Sequence, residues 1–145
     1  MEIYTTGFTK KTAEQFFESL RRAGIRRLLD IRLNNSSQLA GFSKRDDLAY
    51  FLRVICGAQY QHELLLAPTQ DLLDDLKKRK GSWEAYERQF LALMRKRRIE
   101  QRIDRRLFAI PTVLLCSEAT PDHCHRRLVA EYLRDQWGDV TIIHL

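Results

Sequence analysis

The densest run of chemically capable side chains is Cys116-Ser117-Glu118-Ala119-Thr120-Pro121-Asp122-His123-Cys124-His125-Arg126-Arg127. Thiols, imidazoles, a carboxylate and guanidinium groups in one short stretch admit three kinds of chemistry. A helix starting here presents unpaired backbone N–H groups and partial positive charge, which bind anions and favour thiolate. With Arg126 and with Arg32 from elsewhere in the chain, that start would make a pocket for phosphate, the arrangement that asks least of the geometry. Alternatively, Cys124 or Cys116 is a nucleophile with His125 as base and Glu118 nearby. Zinc is the third possibility, suggested by Cys116, His123, Cys124 and His125. Adjacent residues on one helix diverge by about 100°, however, so they do not all reach one ion and no metal is expected. The bland alternatives are a satisfied core histidine and small packing cysteines.

A second cluster is Asp30-Ile31-Arg32. Period two places Asp30 and Arg32 on one side of a strand, where they either hold a ligand or form a structural ion pair. The loop after them, Leu33 to Phe42, brings Ser36 and Ser37 alongside, and Gly7 ends an earlier strand. The catalytic candidates are thus Cys124, His125, Glu118 and Cys116. The ligand-binding candidates are Gly7, Asp30, Arg32, Ser36, Ser37 and Arg126.

The elements that must position these residues alternate. Ile3 to Thr6 reads as a strand; a helix capped by Thr9 follows, with Ala13, Phe16, Phe17, Leu20 and Ala23 at helical spacing; Arg27 to Arg32 is the next strand. Such a βαβ unit crosses over right-handed between parallel strands. Ser43 with Asp46 resembles a capping box for a helix through Ile55, and Tyr60 to Glu63 is a short third strand. Helices are expected from about Thr69 to Lys80 and from Ser82 onward, continuing or breaking near Ile99 and ending around Phe108. Thr112 to Ser117 is a continuous apolar run suited to a central strand buried on both faces. Thr120 and Pro121 open the last helix, and Val140 to His144 is the last strand. The expected architecture is a single α/β domain over residues 1–145: a three-layer, doubly wound, mostly parallel sheet of about five strands, ordered 3-2-1-4-5. Its switch point would then fall between the strands ending at Thr6 and Ser117, with a ligand crevice outside the carboxyl ends.

The chain resembles the family called domain of unknown function 488 over essentially its whole length. The resemblance is carried by Thr5-Thr6-Gly7, by Asp30-Ile31-Arg32 with Ser36 and Ser37, and above all by Leu114-Leu115-Cys116-Ser117-Glu118 followed by Pro121-Asp122-His123-Cys124-His125-Arg126. Where the family shows a glycine-containing element after the third strand, this chain has Leu64-Leu65-Leu66-Ala67-Pro68, and that stretch is not counted among the expected site residues. The resemblance implies the fold and which residues matter, and it supplies no reaction.

Composition narrows the classes. The chain has 145 residues, a formal net charge of +6 and a pI near 9.5. Residues 77–106 carry 12 Lys/Arg against 4 Asp/Glu, a surplus of +8, so the remainder nets −2. Clustered basicity attracts polyanions, although it equally serves as a solvated helix face. Three cysteines cannot all pair within the chain, and their spacing is not a secreted disulfide framework, so a reducing, cytoplasmic setting is expected. No signal segment or membrane span is evident. Without a P-loop, a G-x-G-x-x-G or an H-E-x-x-H, no cofactor is expected. The leading expectation is binding or processing of a phosphate-bearing ligand, a nucleotide or a nucleic acid. The alternatives are a small Cys/His-dependent enzyme with a thiol nucleophile, or a non-enzymatic structural or protein-interaction domain.

Overall fold

The computed structural model of the protein describes residues 1–36, 41–118 and 121–145. Five parallel strands form one sheet: β1 (Glu2–Gly7), β2 (Arg27–Asp30), β3 (Gln59–His62), β4 (Thr112–Cys116) and β5 (Thr141–His144). One face packs on α1 (Ala13–Arg22) and on α2 (Arg45–Phe51), which continues as a π-helical segment over Leu52–Cys56. The other face packs on α3 (Gln70–Lys77), α4 (Trp83–Arg97), α5 (Ile99–Arg102) and α6 (His125–Trp137). This is the expected three-layer α/β architecture.

The strand order is β3-β2-β4-β1-β5, which corrects the expected 3-2-1-4-5. The apolar run of β4 is buried at every residue, whereas β1 begins with exposed Glu2 and half-buried Tyr4. The strand that is apolar on both faces takes the central place, and β1 moves one position outward. The connection leaving β2 runs to β3, and the one leaving β4 runs past β1 to β5. The switch point therefore lies between β2 and β4, and the crevice is expected there.

Two local differences matter for the site. Thr9 does not cap α1: its hydroxyl donates to the Ser117 carbonyl at 2.6 Å and ties the end of β1 to the end of β4. The cap is Thr12, in a reciprocal box with Gln15. The last helix begins at His125 rather than at Thr120-Pro121, and Thr120 lies outside the described residues. Cys124 is therefore its N-cap, with extended backbone (φ −138°, ψ 137°), and does not sit in a helical turn. At the end of α4 the chain breaks at Arg98, which adopts a left-handed conformation (φ 53°) before α5.

Candidate functional site

A cavity of about 180 Å³ opens at the carboxyl ends of β2 and β4. Arg32, Leu33 and Asn34 line it beyond β2; Cys116, Ser117 and Glu118 line it at the end of β4. His123, Cys124 and His125 close it at the start of α6, and Lys77 of α3 and Trp83 of α4 stand opposite.

Arg32 is 3% exposed. Its Nε and Nη2 donate to the two Asp30 carboxylate oxygens, both at 2.8 Å, and Nη2 also donates to the Ser43 carbonyl. The guanidinium stacks over Phe8, 5.3 Å from the ring centroid. Asp30, fully buried, additionally accepts the Tyr60 hydroxyl at 2.5 Å; burial beside that carboxylate holds the Tyr60 phenol well above its usual range. One atom of this cluster is left over: among the described residues, Arg32 Nη1 has no hydrogen-bond partner.

The cysteines and His125 occupy the α4/α6 layer. His125 is half-buried, sits edge-on to Phe90, and its Nε2 lies 2.7 Å from the Ile31 carbonyl. A carbonyl only accepts, so Nε2 carries the proton and, in the neutral ring, Nδ1 carries the lone pair. Loss of hydration pushes the His125 pKa down to about 4, so the ring is neutral at physiological pH. Cys116 and Cys124 are joined by a disulfide, and Cys56 is free. Among the described residues, both sulfurs and a ring nitrogen of His125 lie within 4.8 Å of one another. Three of the four residues weighed for a shared ion thus come together, because Cys124 is an N-cap outside the helix and the 100° divergence does not govern it. His123 is not part of the cluster and stacks on Trp83 with centroids 5.0 Å apart.

Arg126 does not line the cavity. It is fully buried beneath it, where Nε donates to the Thr5 hydroxyl, and Nη1 donates to the Glu118 carbonyl and approaches Cys116 Sγ at 3.8 Å. Burial pushes its pKa down to about 10, which leaves it charged at neutral pH. Gly7 makes room for this bridge: a Cβ there would overlap the Glu118 carbonyl and stand 2.7 Å from Arg126 Nη1. Among the other expected site residues, Glu118 is exposed on the cavity wall, Ser36 is exposed away from it, Asp30 sits behind Arg32, and Ser37 lies outside the described residues.

Sequence reasoning missed the wall that α3 and α4 contribute. In the sequence Lys77 reads as the start of the basic region and Trp83 as part of a helix's inward apolar stripe, and only the tertiary fold brings them over the strand ends. It also missed Pro68, which lines the cavity from the stretch left out of the expected site. That stretch is held by Arg97, whose Nη1 donates to the Leu65 and Ala67 carbonyls at 2.8 and 2.6 Å.

No helix among the described residues is long and apolar enough to cross a membrane. Comparison with curated proteins and with solved structures gives no match. The sequence profile of one family does match, over residues 12–133, a span that takes in β2, β4, the start of α6 and every cavity residue named above. The chain belongs to the family described as domain of unknown function DUF488.

Proposed function

We propose that the crevice between β2 and β4 binds a phosphate group, either of a small anion or of a nucleotide or nucleic acid whose remainder stays outside. The observation that carries this reading is Arg32 Nη1, a buried cationic donor without a partner on a side chain that lines the cavity. Leaving such a donor unmade costs about 1–3 kcal/mol or more, which a ligand oxygen recovers. The α6 N-terminus supports it: its cap side chain makes no capping hydrogen bond and its first turn has no acidic residue, so nothing within that turn offsets its partial positive charge where Cys124 and His125 meet the cavity. Lys77 adds a cation from the opposite wall. Size argues for a phosphate group rather than a whole nucleotide, since about 180 Å³ falls below the roughly 300–1,000 Å³ of sites that enclose drug-sized ligands.

The reading takes residues 1–145 as one domain working in the cytoplasm. A thiol nucleophile draws less support, because the two candidate sulfurs engage each other. The test uses Trp83 fluorescence in a Trp137→Phe background, titrated with inorganic phosphate, AMP and adenosine. Phosphate and AMP should give saturable responses and adenosine none, and Lys77→Gln should weaken the response several-fold. Equal responses to AMP and adenosine, or no saturation by phosphate at low salt, would contradict the proposal.

A further inference from the structure

We infer that Cys116, Cys124 and His125 form a site for a divalent ion of the zinc type, with one coordination position open to the crevice. This goes beyond phosphate binding and does not depend on it. The three donors come from the end of β4, the N-cap of α6 and its first helical residue, and their ligand atoms lie within 4.8 Å of one another. Two thiols and an imidazole are the donors zinc selects, and three protein ligands with a fourth position open is the pattern of zinc that does chemistry rather than only bracing a fold.

Three further observations support an ion. The Cys116 and Cys124 Cα atoms are 7.1 Å apart, wider than the roughly 4.4–6.8 Å that a disulfide usually spans. Thiolates bound to one ion by bonds of about 2.3 Å stand roughly 3.8 Å apart, which suits the wider span. The His125 ring is fixed as metal-binding histidines are, one nitrogen committed to a backbone carbonyl and the other left with its lone pair. Arg126 Nη1 approaches Cys116 Sγ, and a cation there stabilises thiolate. Loading starts from the disulfide: a phosphine supplies two electrons and leaves as its oxide, taking its oxygen from water, whose two protons complete the dithiol. The dithiol then gives up two protons to the solvent, and the dication with two thiolates and a neutral imidazole leaves a site of zero net charge. All three ligands line the cavity, so the fourth position is open to the crevice.

The full chain, kept reduced with a phosphine and freed of metal by chelator, is titrated with Co²⁺ and then Zn²⁺. The expected result is uptake of about one Co²⁺ per chain with thiolate-to-cobalt charge-transfer absorption, loss of that absorption on adding Zn²⁺, and release of about two protons per ion. Cys124→Ser should abolish the absorption while folding normally, since serine suits an N-cap; circular dichroism checks the fold. Cys56→Ser should bind as the parent does. Lys77→Gln should bind Co²⁺ normally while losing phosphate affinity, so failure here is separable from failure of the phosphate reading. No stoichiometric uptake by the reduced chain, uptake unchanged in folded Cys124→Ser, or a Cys116–Cys124 disulfide that survives the reductant would overturn the inference.

Discussion

At the residue scale, the polar cluster divides into parts that face the cavity and parts that hold it open. Gly7 belongs to the second kind. Any side chain there collides with the Glu118 carbonyl and displaces the Arg126 guanidinium. Gly7→Ala should therefore destabilise the fold by about 3 kcal/mol, the upper range for overpacking, measured by urea unfolding; a loss below about 0.5 kcal/mol, the scale of an ordinary surface change, would show that the close approach is not needed. His125 gives a pH signature in the metal-free protein. Its folded pKa of about 4 lies below the unfolded value of roughly 6.5, so its neutral form contributes full stability above pH 6.5. As pH falls below 6.5 the unfolded chain takes a proton that the folded chain refuses, and stability drops until about pH 4. Between pH 7.5 and 5 the wild type should lose about 2 kcal/mol more than His125→Gln; equal losses would mean the ring is not held neutral. Much of this scale was legible in the sequence: Arg32, Glu118, Cys116, Cys124 and His125 all reach the cavity. Roles were less legible. Arg126, expected to meet a ligand, is committed to Thr5 and the Glu118 carbonyl, on the side of α6 that is buried against the sheet.

At the element scale, strands and helices followed from period and punctuation, while caps and strand order did not. Ser43 and Asp46 suggested a capping box, yet the N-cap of α2 is Lys44, which offers no side-chain acceptor to the first turn. Lys44→Ser should supply that acceptor and raise stability by about 1 kcal/mol. An unchanged or lower urea midpoint would show that the cap backbone is already satisfied in another way. The late start of α6 has the same origin. Thr120-Pro121 is a good opening signal, but Cys124 is drawn into the core, where it is 3% exposed, and the helix begins only after it. Strand order escaped the sequence because β1 and β4 both read as interior strands, and only the competition for the central slot separates them.

At the scale of the whole molecule, the basic surplus of residues 77–106 is partly spent on structure. Arg97 braces the stretch before α3, Arg105 pairs with Asp139 at 2.8 Å, and Arg106 pairs with Asp104. Arg95, Lys96 and Arg98 are exposed at the end of α4. If the crevice receives its phosphate from a nucleic acid, changing these three to Gln should weaken binding to a short oligonucleotide and flatten its salt dependence, with Arg97 left intact to protect the fold. Unchanged salt dependence would remove this surface from the approach path. The central claim, that a phosphate group seats between β2 and β4, is tested most directly by following backbone amide resonances of the isotope-labelled chain while inorganic phosphate is added at low salt. The account predicts saturable shifts concentrated at Arg32 to Asn34, Lys77, Trp83 and His123 to Arg126, and strongly reduced in Lys77→Gln. Shifts confined to Arg95, Lys96 and Arg98, or a uniform drift without saturation, would contradict it.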